Sequence, residues 1–165
     1  MFLRILVAYD GTDSGQELLS EAVELAATYR SRVHLVAVAY LQTGELLAEA
    51  AYPTGILPAN EVAMGEALDA AKTLFERHGC SVDTTLMIGN NTASTIRELA
   101  LKMKADLIIL GHRRQGPFSR LWNGSVGMAL LANAPCSVLV AVNPQLVHAA
   151  VAAGDARHVA HSARA

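Results

Sequence analysis

Residues 106–142 read DLIILGHRRQGPFSRLWNGSVGMALLANAPCSVLVAV. Asp106 to Leu110 is a short apolar run of strand length that stops at Gly111. Gly111 to Asn123 is polar and basic and predicts a loop, while Gly124 to Asn133 predicts a helix that Pro135 ends. Ser137 to Val142 is again apolar and rich in β-branched residues, the pattern of a buried strand. Strand, loop, helix and strand in that order describe one βαβ crossover, so the two strands run parallel.

The same alternation extends upstream. Thr92 to Met103 places Ile96, Leu99, Ala100 and Met103 at helical spacing, after a strand over Ser81 to Ile88 that Gly89, Asn90 and Asn91 close. A helix is predicted from a cap at Asn60 to His78, with Gly79 as its stop. Tyr40 to Ala59 is punctuated by Gly44, Pro53, Gly55 and Pro58 and predicts an irregular connection. Val33 to Ala39 and Leu3 to Tyr9 are apolar strands, separated by a helix that Asp13 or Ser14 caps and that runs to about Tyr29. Five strands alternating with four helices predict an α/β fold, an open five-stranded parallel sheet with helices on both faces. Such sheets bind ligands beyond the carboxyl ends of their strands, which here means the loops after Asp10, Ala39, Gly89 and Gly111.

Composition narrows the class. The 165 residues suit one domain with one core, and 52% hydrophobic against 5% aromatic residues makes that core aliphatic. A net charge of -2 gives no drive toward nucleic acid or an anionic membrane. Mean hydropathy is +0.30. The stretch between Arg120 and Asp155 carries no charge, but Asn133, Pro135, Ser137, Asn143 and Pro144 interrupt it, so no membrane span is expected. Met1-Phe2-Leu3-Arg4 does not open a signal peptide, and Cys80 and Cys136 are expected as reduced, buried thiols of a cytoplasmic protein. The tail from Asn143, rich in Ala and His, has no clear periodicity and is expected to be loosely held, which puts the domain at 1–142 and a flexible tail at 143–165.

The loop after Leu110 carries the chemistry. A serine and amides at a helix start, Gly124-Ser125, with Arg113, Arg114 and Arg120 nearby, can hold a phosphate. They also fit an ordinary loop with a Gly-Ser cap and solvated arginines, and both readings are open on residue types alone. His34 lies in an apolar strand and is expected as a satisfied core or surface-face histidine. His112 borders the loop and could touch phosphate. The tail pair His158 and His161 lacks the further ligands of a metal site. Trp122 is expected to pack the loop against the domain.

The segment 106–142 resembles the carboxy-terminal signature of the universal stress protein family, and VAYDGTDSG, MIGNN and APCSVLV extend the likeness across residues 2 to 142. ATP-binding members carry Gly, two residues, Gly, nine residues, then Gly with Ser or Thr; Gly111, Gly124 and Ser125 stand at those separations. The family's second glycine is Arg114 here. Its side chain either obstructs the approach of backbone amides to phosphate or contacts phosphate itself. The resemblance implies a Rossmann-like sheet of the adenine nucleotide alpha hydrolase-like kind. It implies an adenine nucleotide, ATP or ADP or AMP, with Mg as a companion ion. By the same matching Asp10 addresses the base or ribose, Val38 and Leu110 line the adenine, and Gly111, Arg114, Gly124, Ser125 and Val126 meet the phosphates. It also implies a homodimer joined through the last strand, Ser137 to Val142.

Three functions compete at this stage. The first is a nucleotide-binding stress or signalling module with at most slow ATP hydrolysis. The second is a member that binds no nucleotide and acts through protein contacts, a reading that Arg114 sustains. The third is an ATP pyrophosphatase-like enzyme, to whose SGGxDS loop Tyr9 to Ser14 bears a faint likeness without the initial Ser-Gly. No nucleophile, base and orienting group converge at the predicted strand ends, so no hydrolase is expected.

Overall fold

The computed structural model describes residues 1–11, 15–40, 59–111 and 126–141. The expected cap at Asp13 or Ser14, the interior of the 40–59 connection, the loop residues His112 to Ser125 and the tail lie outside the described residues. Nine elements follow one another: β1 (Arg4–Ala8), α1 (Gly15–Tyr29), β2 (Arg32–Tyr40), α2 (Ala59–Arg77), β3 (Ser81–Gly89), α3 (Thr92–Met103), β4 (Leu107–Gly111), α4 (Val126–Ala132) and β5 (Ser137–Ala141). The strands form one sheet in the order β3-β2-β1-β4-β5, every pairing parallel.

The pleat sorts the apolar runs onto two faces. Ile5 and Val7 of β1, Val33 and Leu35 of β2 and Ile109 of β4 pack under α1 and α2 with Leu18, Ala22, Ala26 and Phe75. Leu6, Val36, Ile108 and Leu110 point the other way and pack under α3 and α4 with Ile96, Ala100 and Leu130. Ile5, Leu6 and Val7 are all 0% exposed, because β1 sits mid-sheet with helices on both sides. That double burial explains why the strand reads as a continuous apolar run.

The helix boundaries follow local chemistry. Asn91 caps α3, its side-chain oxygen accepting from the Ser94 amide at 3.0 Å. Gly79, at φ +73°, follows α2 and donates its N–H to the Glu76 carbonyl at 2.9 Å. Lys104 makes the equivalent stop after α3 at φ 54° with a side chain present. The expected cap at Asn60 is corrected: α2 already includes Ala59, so Asn60 lies within the helix. Both cysteines are free thiols as read from the sequence, but they are half-buried rather than buried. His34 is a satisfied histidine at the sheet surface, its Nε2 2.8 Å from Thr85 Oγ1.

One polar staple joins the starts of β1 and β4. The Asp106 carboxylate accepts from the amides of Leu3 at 2.9 Å and Arg4 at 2.8 Å, and the Arg4 guanidinium lies 3.5 Å away. The Arg4 amide foremost, with the Leu3 amide and the Arg4 charge, holds this carboxyl below the usual carboxylate range. A folded pKa below the unfolded one means that the stabilisation is complete above the unfolded value. It is lost as pH falls through the lower, folded value. Asp106→Asn is expected to cost about 1–2 kcal/mol at neutral pH, or about 2–8 °C of Tm. Acid titrations of Tm should then be flatter for the variant below about pH 4. Equal acid slopes for the two proteins would overturn this account.

Candidate functional site at the strand carboxyl ends

From β1 the chain winds outward to β2 and β3, then returns to the other side of β1 to build β4 and β5. Winding therefore reverses between β1 and β4, and the loops leaving those two strands diverge to open a crevice. The sequence-predicted residues fall around it. Ala8 pairs with Val36 on one side and with Leu110 on the other. Val38 lies two residues further along β2, and Asp10 two residues past the end of β1. Asp10 is exposed, Val38 half-buried and Leu110 buried. Ala8, Val38 and Leu110 belong to the apolar cluster under α3 and α4.

Gly111 ends β4 opposite Ala141, half-buried. A Cβ there would meet Leu18 Cδ2 at 3.8 Å, an ordinary contact, so no described neighbour demands glycine at this position. Val126 opens α4 and is 37% exposed. Arg114, Gly124 and Ser125, the remaining predicted contacts, lie outside the described residues. Asp10, Val38, Leu110, Gly111 and Val126 are thus the predicted residues whose places the structure gives.

Sequence reasoning missed the neighbours that shape this floor. Met87 and Ala93 are half-buried members of the same apolar cluster, from the end of β3 and the start of α3. Between them lies Gly89, where a Cβ would stand 2.7 Å from Thr95 Oγ1 and 3.8 Å from Val38 Cγ1. The Thr95 hydroxyl in turn donates to the Asn91 carbonyl at 3.0 Å. Gly89→Ala is therefore expected to destabilise by about 1–3 kcal/mol through overpacking. Adding Thr95→Ala should recover at least about 0.5 kcal/mol of that loss in a double-mutant cycle of denaturant unfolding. Strict additivity would show that the two groups do not compete for the space. The signal available in the sequence was Gly89 itself, which was read as a strand end opening one of four candidate ligand loops and not as a close-packing position.

An open groove of about 610 Å³ lies on the opposite face, between α1 and α2, lined by Tyr9, Leu19, Ala67, Ala71, Leu74 and Arg77. Its walls are otherwise helix surfaces, with Tyr9 beside the crevice and Ala67 next to Gly11. Among the described residues no cluster of three or more His, Cys, Asp or Glu could hold a metal ion. No helix among them is long and apolar enough to cross a membrane.

A parallel, doubly wound sheet of order 3-2-1-4-5, with its switch point between β1 and β4, defines the α/β class whose ligands bind beyond the carboxyl ends of the strands. The universal stress protein family profile matches residues 1–142, and the chain belongs to that family. A universal stress protein of Thermus aquaticus is 31% identical over 144 residues, covering 85% of this chain and 98% of its own. One from Methanocaldococcus jannaschii is 28% identical, covering 88% of this chain and 85% of its own. Among solved structures, a universal stress family protein from Burkholderia pseudomallei is 26% identical with a TM-score of 0.63, covering 84% of this chain and 94% of that one. Two others share the fold at lower identity. A universal stress protein in complex with cAMP is 19% identical, with a TM-score of 0.63, covering 86% of this chain and 97% of that one. One from Archaeoglobus fulgidus in complex with dAMP is 20% identical, with a TM-score of 0.58, covering 84% and 96%.

Proposed function

We propose that this chain binds an adenine nucleotide in the crevice between β1 and β4, as a stress-response or signalling module and not as a catalyst of a defined reaction. The observation that carries the reading is the shared row at the strand ends. Ala8 pairs with Val36 on one side and Leu110 on the other, and with Val38 these residues make an aliphatic surface on which a purine can lie. The exposed Asp10, two residues past β1, offers a carboxylate to a ribose hydroxyl. Gly111, Arg114, Gly124, Ser125 and Val126 would meet the phosphates, Arg114 supplying a charge-assisted contact in place of the glycine at that point of the family pattern. ATP, with Mg, is the expected ligand, and ADP or AMP the alternatives. The relatives solved with cAMP and dAMP support an adenine-bearing ligand.

A homodimer is part of the proposal. β5 is an edge of the sheet, and Met128 and Leu131 of the neighbouring α4 are 41% and 49% exposed, so a second copy laid along Ser137 to Val142 would cover backbone and apolar surface together. A cytoplasmic location goes with the same reading. A second reading, contact with proteins alone, is favoured by one feature, Arg114 where the nucleotide-binding pattern has glycine.

Calorimetry with Mg-ATP, ADP and AMP on wild type, Asp10→Ala and Ser125→Ala tests the proposal. Binding in the micromolar range, weakened at least about tenfold in each variant, is the expected result. A folded protein that gives no heat at millimolar nucleotide would sink the nucleotide reading and leave the protein-contact one.

A further inference from the structure

We infer that Tyr9 and Gly15 form a size-matched pair that positions the Asp10 carboxylate, so that Gly15 is a positioning residue for the crevice without itself reaching a ligand. The inference rests on the proposed binding role of Asp10, and it deepens that reading. Gly15, the first residue of α1, is buried. A Cβ built on it would lie 2.5 Å from Cε2 and 2.8 Å from Cδ2 of the Tyr9 ring, distances that real Cβ atoms do not adopt. The ring therefore occupies the volume that any side chain at position 15 would need. The same Cβ point is 3.6 Å from Asp10 Oδ1, so Asp10 lies against the same bare patch of helix as its neighbour's ring.

The ring is buried in the core and also lines the groove between α1 and α2. Tyr9 is 6% exposed and belongs to the core cluster under α1 and α2, and its amide donates to the Val36 carbonyl at 2.9 Å, extending the β1–β2 ladder by one residue. On the far side of Asp10 the chain is constrained again. Gly11 adopts φ +77°, and a Cβ there would meet Ala67 Cβ of α2 at 3.2 Å. The carboxylate thus sits between two positions where a side chain is opposed, one by an aromatic ring and one by a neighbouring helix. A methyl group at 15 must displace either the buried ring or the start of α1, and both movements pass directly to the backbone of Asp10. Preorganisation of this kind lowers the ordering cost of binding.

The test uses full-length wild type, Gly15→Ala, Tyr9→Leu and the double variant Tyr9→Leu/Gly15→Ala. Two readouts are taken on each: the side-chain carboxyl ¹³C resonance of Asp10 and the calorimetric affinity for Mg-ATP. Gly15→Ala is expected to move the Asp10 resonance and weaken ATP binding about tenfold or more while helix content stays. The double variant, in which leucine vacates the ring edge, should restore both toward wild type. Should Gly15→Ala not fold, Tyr9→Leu and the double variant carry the comparison. Tyr9→Leu alone removes the ring edge beside Gly15 and shifts the Asp10 resonance, and the alanine methyl then partly refills the space and brings it back. An unchanged Asp10 resonance in Gly15→Ala, or additive effects in the double variant, would overturn the inference. Wild type that binds no nucleotide would end the proposed function, and the Asp10 resonance would still decide the pairing on its own.

Discussion

Phe75→Ala is expected to cost about 3–5 kcal/mol, which for a chain of this length lowers Tm by roughly 10 °C. Phe75 lies near the end of α2, is 0% exposed and belongs to the core cluster with Val33 and Leu35 of β2 and the partly buried Val82 and Leu86 of β3. Its main chain closes the helix as well, since the amides of His78 and Cys80 both donate to the Phe75 carbonyl at 3.1 Å. Truncation leaves a ring-sized hole at the place where α2 is fastened to the sheet. Collapse would shrink the hole only if neighbours moved in, and Val33, Leu35 and Ala71 of the same cluster are themselves buried and already packed. The cost should therefore sit toward the upper part of that range, a large share of a total stability of about 5–15 kcal/mol. Phe75→Leu, which keeps most of the apolar volume, should cost less than about half as much. Differential scanning calorimetry of the two variants decides the matter, and a Tm loss under about 3 °C for alanine would show that α2 is not an anchored element.

Most of this architecture was legible because strand and helix signals rarely conflicted. Leu6, Ile108 and Val36 belong to strands buried on both faces, and such strands announce themselves as unbroken aliphatic runs. The order of strands in the sheet was not legible, since a list of βαβ units fixes handedness but not which side of β1 the fourth strand joins. Boundaries failed where backbone conformation, not residue type, decides. Asn60 has cap chemistry yet lies inside α2, and Asn91, read as part of a turn, is the residue that caps α3. Lys104 and Arg30 take positive φ with no glycine to signal it. Of the proposed site, Asp10, Val38 and Leu110 were reached by family likeness; Leu110 pairs with Ala8 across the switch point, Val38 lies on β2 and Asp10 follows β1. The Tyr9–Gly15 and Gly89–Thr95 contacts were hidden because each pairs residues several positions apart across a turn, where no periodicity operates.

Position, not residue type, decides whether a carboxylate stabilises β4, and Ile109→Asp is expected to leave the chain unfolded at neutral pH. Three residues upstream, Asp106 is a net asset because two amides and a guanidinium meet it at the strand's start, with its side chain 30% exposed. Ile109 has no such surroundings. It is 0% exposed, sits in the central row between Val7 of β1 and Leu139 of β5, and packs in the cluster beneath α1. A charge there would lose its hydration without a donor, since the neighbouring strand amides already serve the ladder. For the fold to hold it neutral its pKa would have to rise by about 3 units or more, a penalty of roughly 4 kcal/mol at pH 7 before the cost of the buried carboxyl's unmet hydrogen bonds and the lost burial of the isoleucine are counted. That sum matches or exceeds the stability of an ordinary domain. Ile109→Val, by contrast, should cost only about 0.5–1.5 kcal/mol and Ile109→Asn an intermediate amount, the difference between Asn and Asp reporting the charge alone. Far-UV circular dichroism and urea unfolding of the three variants read this series. A cooperatively folded Ile109→Asp at pH 7 would show that water reaches the middle of β4 and that the sheet is not sealed beneath α1.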